Sequence, residues 1–169
     1  YGGGAKECSL TDCTLSNNYA GLFGAGAYQS TLDRCVVANN SGWWGGGIAG
    51  CTASNSLLVA NGGYEGGGAH GSELFNCALV RNGAGSIGGG ALGGRLINCT
   101  VTGNSAAGAG GGAYDAEVNN GIVYFNTAPT GSNYSGGVIN WTCTNPLPAG
   151  GTNNSTADPL PADGFHLSA

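Results

Sequence analysis

Positive charge is nearly absent from this sequence: Lys and Arg number 4 against 9 Asp and Glu, for a net charge of −5. A nucleic-acid backbone is met by clustered cations, so no nucleic-acid partner is expected. Charged residues of both signs make up only 8% of the chain, and the acidic ones are too sparse for a calcium-binding cluster. The 7 Cys contain no Cys-x-x-Cys pair, which removes the usual zinc spacing, and no metal or other cofactor is expected. No stretch approaches the roughly eighteen consecutive apolar residues of a membrane helix, and no charged-then-apolar leader opens the chain. Neither a membrane span nor a signal peptide is expected. Methionine is missing and Tyr1 begins inside a repeat, so the chain reads as a mature or trimmed piece of something longer. Proline is missing before Pro129.

Glycine is what the chain has in excess, with 36 residues. Without a period that content reads as disorder, but here the glycines recur in register. A Gly-Gly-Gly-Ala segment or a near copy ends at Gly4-Ala5, Gly26-Ala27, Gly47-Ile48, Gly68-Ala69, Gly90-Ala91 and Gly112-Ala113, steps of 21 or 22 residues. A unit this short cannot bury a core alone and must stack on its neighbours. Overlaying the six units gives apolar columns: Leu10, Leu32, Ala53, Leu74, Leu96, Val118, then Leu15, Val37, Leu58, Leu79, Val101, Val123. Runs of two to four residues between bends are too short for helices. The pattern predicts an all-β, single-stranded parallel β-helix with three short strands per turn, like residues stacked about 4.8 Å apart. Six regular turns fill residues 1–126. Residues 127–169, which hold all five prolines, are expected to form an irregular seventh turn and a cap of the same domain.

Two Asn columns accompany the bends. Asn18, Asn40, Asn61, Asn82, Asn104 and Asn126 follow the last strand of each unit. Asn tolerates left-handed backbone, and its amide both donates and accepts, so the column is expected to bend the chain and bond from turn to turn. Asn55, Asn76, Asn98 and Asn120 make a second column, with Asp12 and Arg34 in its first two places as an ion pair. Asn98 is expected to be packed, and the Asn-x-Ser/Thr matches at Asn39, Asn98, Asn133, Asn140, Asn153 and Asn154 are weak signals. The inward column Cys13, Cys35, Ser56, Cys77, Cys99, Gly121 places Cys13 beside Cys35 and Cys77 beside Cys99, a separation compatible with disulfides or with buried thiols used as small apolar groups. Cys8 and Cys51 fall two turns apart, too far to join.

Candidate contact residues are aromatic. Phe23, Trp43, Trp44 and Tyr64 precede the glycines on successive turns and should gather on one side. Tyr28 and Tyr114 belong to an outward column, Lys6, Tyr28, Ala49, His70, Leu92, Tyr114, where rings are placed to stack on sugars. Beside it, Glu73, Arg95 and Glu117 form a charge ladder. It reads chiefly as Arg95 neutralising both carboxylates, and secondarily as an acid and a base for polysaccharide cleavage. His70 and His166 are too far apart in the pattern to act as a pair, and no catalytic residue stands out. The outward side of the third strand, Val36, Leu57, Val59, Val80, Ile122 and Tyr124, is apolar and is expected to be covered by the C-terminal segment or another chain.

The Gly-Gly-Gly-Ala units followed by an Asn-Cys-x-Val-x-x-Asn segment, as in Gly88 to Asn104, resemble the right-handed parallel β-helix repeats of bacterial surface proteins. The resemblance is to polymorphic outer membrane proteins and to secreted proteins with a C-terminal anchoring domain, and Thr156 to Ala169 resembles the segment that closes such helices. It implies an exported, extracellular or cell-surface chain with a structural or adhesive role. The polygalacturonase and pectate lyase families share that fold, but their dense Asp and Lys/Arg sets are missing here. The leading expectation is therefore a non-enzymatic extracellular β-solenoid module of a larger surface or fibre protein. Self-association end to end or through the apolar outer face belongs to that expectation. The alternative is a polysaccharide-binding or polysaccharide-cleaving domain.

Overall fold

In the computed structural model, which describes residues 1–159, each window of 21 or 22 residues closes into one turn of a parallel β-solenoid. The described chain is built from 26 short strands, with no helix among the described residues. Every strand pairs in parallel with its equivalent one turn away, in register but for a shift between Ala20 and Phe23: Leu32↔Ala53↔Leu74↔Leu96 on one wall, Val37↔Leu58↔Leu79↔Val101 on the next. Three walls carry seven strands each, so the irregular seventh turn expected after Asn126 is present. Its strands are Tyr134–Ser135, Val138–Asn140 and Cys143–Thr144.

The sequence predicts three strands per turn, and the structure has a fourth wall of five strands: Tyr19–Phe23, Ser41–Trp44, Gly62–Glu65, Gly83–Ala84 and Ser105–Ala106. We call the walls first to fourth, the first opening with Ala5–Lys6, the second with Ser9–Thr11, the third with Thr14–Ser16. The fourth wall was hidden because its residues change from turn to turn, from Tyr-Ala-Gly-Leu-Phe to Ser-Ala, so no like-on-like column marks it.

The inward columns fill the interior as the repeat requires. Leu32, Ala53, Leu74, Leu96 and Val118 from the second wall meet Val37, Leu58, Leu79, Val101 and Val123 from the third, all fully buried. The first wall contributes Ala27, Ala69, Ala91 and Ala113, small enough to let the opposite Leu side chains reach across, and the larger Ile48 in the turn where the second wall has Ala53. Each large aliphatic contributes about 1.5 to 3 kcal/mol, realised only when the neighbouring turns are in place.

Four corners per turn follow from backbone handedness. Most are made by one left-handed residue, as in the fourth turn at Gly66, Gly71, Asn76 and Arg81, and two use a pair, Gly93-Gly94 and Gly136-Gly137. The corner opening the third wall uses Asp12, Arg34, Asn55, Asn76, Asn98 and Asn120, all with positive φ. Here the expectation of Asn in left-handed backbone is met, but for the buried column it is not. The left-handed residue there precedes the ladder, as Asn17, Asn39, Ala60, Arg81, Gly103 and Phe125. Asn18 to Asn126 turn the chain instead by side-chain hydrogen bonds. The corner leading back to the first wall is glycine for two reasons: its first residue is left-handed, as at Gly45 with φ 67, and a Cβ on its third would strike backbone, as at Gly68, 2.6 Å from the Gly90 carbonyl oxygen.

The Cys columns are corner residues too. All seven thiols are free, and Ser30 stands between Cys8 and Cys51 in the corner before the second wall. At these corners the amide of one turn donates to the Oγ or Sγ of the next, Cys35 N to Ser56 Oγ at 2.9 Å and Ser30 N to Cys51 Sγ at 3.4 Å. The same Oγ or Sγ donates to the carbonyl two residues back, as Cys77 Sγ does to Phe75 O and Ser56 Oγ to Ser54 O. Cys and Ser alternate because both are small groups able to satisfy corner backbone. Burial pushes the Cys51 thiol up to about 11.

At the C-terminal end, residues 150–157 lie across the last turn: Trp141 N donates to Thr152 O and Thr142 N to Asn154 Oδ1, and Cys143 bridges Ser155. The described C-terminal segment does not supply the cover expected of it for the apolar outer side of the third wall. It reaches that side only at the last turns, where the Tyr124 hydroxyl donates to Thr156 O at 3.4 Å and Cys143 Sγ donates to Ala157 O at 2.8 Å. Val36 stays exposed, Leu57, Val59 and Ile122 are half-buried, and Val80 is buried. The remainder of the closing segment resembled by Thr156 to Ala169, including His166, lies outside the described residues.

Candidate functional site

The fourth wall gathers the exposed rings because its strands point alternate residues outward next to the glycine corner. Phe23, Trp44 and Glu65 are in register, and so are Tyr19, Ser41, Gly62, Gly83 and Ser105. Trp43 and Tyr64 stack with ring centroids 4.8 Å apart, and Phe23 and Trp44 at 4.9 Å. These distances equal the spacing between turns, so the rings lie face to face along the axis and offer their edges outward. Phe23 is sandwiched between Tyr1 and Trp44, with Tyr28 tilted against it at 5.7 Å and His70 edge-on at 6.1 Å. Trp43 meets Trp44 edge-on, which joins the two stacks.

The structure therefore brings Phe23, Trp43, Trp44, Tyr64 and Tyr28 into one patch. Tyr114 stands apart on the first wall, in register with Leu92, three residues up the column from Ala49 and away from these rings. Trp44 Nε1 donates to Glu65 Oε2 at 3.1 Å, which fixes the inner stack. Half-buried among these groups, the His70 imidazole is held below its ordinary value by burial, partly countered by Glu65. It is neutral at pH 7.

Beside the outer stack runs a slot of about 430 Å³. Trp43 and Tyr64 form one wall, Tyr19, Ser41 and Ser105 the other, with Gly62 and Gly83 in the floor. It crosses five turns, about 19 Å at the turn spacing. Tyr19, 76% exposed, makes no ring contact among the described residues, so its faces are open; Trp43 and Tyr64 are 49% and 46% exposed. No charged side chain lines the slot. Tyr19, Ser41 and Ser105 went unnoticed in the sequence, although they immediately follow the ladder residues Asn18, Asn40 and Asn104 and so fall on the opposite, outward side of the wall.

The buried Asn ladder is continuous. Asn61 N and Nδ2 both donate to Asn82 Oδ1, at 2.9 and 3.0 Å, while Asn61 Nδ2 also donates to Val37 O at 2.8 Å. The pattern repeats at Asn40, Asn82 and Asn104, Asn18 makes its two bonds to Asn40 Oδ1, and Asn126 hands the ladder to Asn133, whose Nδ2 ends on Asn145 O. The second column is a ladder as well, Asn120 to Asn98 to Asn76 to Asn55, but it is exposed. Asn98 is thus not packed, because a left-handed corner residue projects its side chain outward. Arg34 takes Asp12 with two guanidinium nitrogens, at 2.8 and 3.0 Å, which holds the Asp12 carboxyl below its usual range, and it also pairs with Asp33.

The Glu73, Arg95, Glu117 ladder exists as register but not as a shared ion pair. Arg95 Nε donates to Glu117 Oε2 at 3.1 Å, and Glu117 also accepts from Asn119. Arg95 makes no ion pair with Glu73, since one guanidinium on an exposed strand can turn to only one side. No protein-family model matches the chain, and comparison with curated proteins and with solved structures gives no match either.

Proposed function

We propose that this chain is a non-enzymatic β-solenoid module of an exported bacterial surface or fibre protein, acting as a rigid support that makes adhesive contact through its fourth wall. The observation that carries the reading is the collection of Tyr19, Trp43 and Tyr64, all highly exposed, around one uncharged slot on an otherwise tightly bonded wall. Concentrated exposed rings mark contact surfaces, and in-register turns hold them without further ordering cost. Export and kinship with the polymorphic surface proteins rest on the resemblance of the repeats.

Beads coated with the chain, drawn under flow across polysaccharide-coated, protein-coated and bare surfaces, test the contact role. Retention on one class of surface, lost in a Trp43→Ala, Tyr64→Ala variant, is the expected result. Equal retention of parent and variant everywhere overturns it. Parallel incubation with acidic and neutral polysaccharides tests the non-enzymatic part: new reducing or unsaturated ends that vanish in Glu73→Gln or Glu117→Gln make the chain an enzyme.

A further inference from the structure

Building on the contact role of the fourth wall, we propose that its slot binds a neutral, unbranched polysaccharide laid along the solenoid axis. The slot's own chemistry selects the class. Its lining carries hydroxyls of Ser41, Ser105 and the tyrosines together with ring edges, and no charged group. The chain as a whole is at −5, a field that repels phosphate or carboxylate polymers. A sugar chain offers what this lining complements, hydroxyls able to donate and accept alongside apolar C–H faces. The open face of Tyr19 supplies a stacking surface at one end.

A peptide strand fits less well. The floor amides are already used between turns: Gly62 N donates to Asn40 O at 2.8 Å, Gly83 N to Asn61 O at 2.9 Å and Ser105 N to Asn82 O at 2.9 Å. An incoming backbone finds no free ladder there, and recognition falls to side chains.

The floor glycines point the same way. Unlike the corner glycines, Gly62 and Gly83 have ordinary φ, and a Cβ on Gly62 meets nothing within 4 Å, while one on Gly83 meets only Ser105 Oγ at 3.6 Å. Neither backbone handedness nor packing requires glycine at these places. A strand glycine costs stability relative to alanine, and one with no backbone reason marks a place where a ligand comes close.

The test is titration of the whole chain, by calorimetry and affinity electrophoresis, with neutral linear polysaccharides of several linkages. Polygalacturonate and a Gly/Ser-rich peptide serve as comparators. Saturable binding to a neutral glycan is expected, weakened about tenfold or more in Gly62→Leu, Gly83→Leu, which fills the slot, and in Tyr19→Ala. An unchanged thermal midpoint in these variants shows that the fold is intact. Binding only to the acidic polymer or the peptide, or unweakened glycan binding by the slot-filled chain, overturns the assignment. If beads are still held by a protein surface in a Trp43-dependent way while no glycan binds, the ligand class fails and the contact role stands; if neither occurs, both fail.

Discussion

Replacing Asn82 by Ala removes the middle of the buried ladder, and the structure allows its cost to be worked out. Four side-chain hydrogen bonds are lost: Asn82 Nδ2 to Leu58 O at 2.9 Å and to Asn104 Oδ1 at 3.0 Å, and those that Asn82 Oδ1 accepts from Asn61 N and Nδ2 at 2.9 and 3.0 Å. Asn61 Nδ2 keeps Val37 O, so its loss is partial. The Asn61 amide loses its acceptor inside the wall, an orphan worth about 1 to 3 kcal/mol. The bonds to Leu58 O and Asn104 add about 1 kcal/mol each. The expected loss is about 3 to 5 kcal/mol in urea unfolding followed by circular dichroism. The control is Asn98→Gly, which deletes an exposed ladder residue while keeping the left-handed backbone, with φ of 56 at Asn98. That variant should lose less than about 1 kcal/mol. If Asn82→Ala is no more destabilised than Asn98→Gly, the buried ladder is not what holds the corner between the third and fourth walls.

Thr144 sits in the inward column beside Val123 with its hydroxyl buried and unpaired, so Thr144→Val should stabilise by about 1 to 3 kcal/mol; a loss of stability in urea unfolding refutes this. Thiol titration with a disulfide reagent at pH 8 should label Cys8 quickly and leave Cys35, Cys51, Cys77 and Cys99 unlabelled until denaturant is added, after which seven groups react per chain. Early labelling of Cys51, whose thiol burial raises to about 11, contradicts that burial. His70 has a folded value below its ordinary 6.5, so the unfolded chain takes up the proton first. Its contribution is complete above about pH 6.5 and is lost as pH falls from there towards the folded value. His70→Gln should therefore flatten the decline in stability between pH 7 and 5, and parallel curves for parent and variant would refute the assignment.

Much of the architecture was legible because inward side chains must match what lies above and below. Leu58 over Leu79, Asn61 over Asn82 and Ala69 over Ala91 recur since each rests on its counterpart, and the recurrence alone fixed three of the walls, their register and the ladder. Outward positions carry no such constraint. Tyr19, Ser41, Gly62, Gly83 and Ser105 share one column yet not one chemistry, which concealed the fourth wall and the slot. The left-handed corner before the ladder was equally opaque: Ala60, Arg81 and Phe125 occupy it at a cost of about 1 to 2 kcal/mol each, offset by the ladder that follows. The two Asn columns look alike in the sequence and differ only in which side of the wall they face, which is why Asn98 was misplaced. Direction of pairing within Glu73, Arg95 and Glu117 depends on one rotamer, and no spacing encodes that.

The central claim is that side chains a full turn apart are bonded to one another in register. Nuclear magnetic resonance of the isotope-labelled chain reads this directly, through scalar couplings across the hydrogen bonds from each ladder amide to the side-chain carbonyl of the next. Couplings should link Asn40 to Asn61, Asn61 to Asn82, Asn82 to Asn104 and Asn104 to Asn126, with these amides protected from exchange for hours. Amides that instead couple to carbonyls close in sequence, or that exchange with water within minutes, would contradict the stacked solenoid.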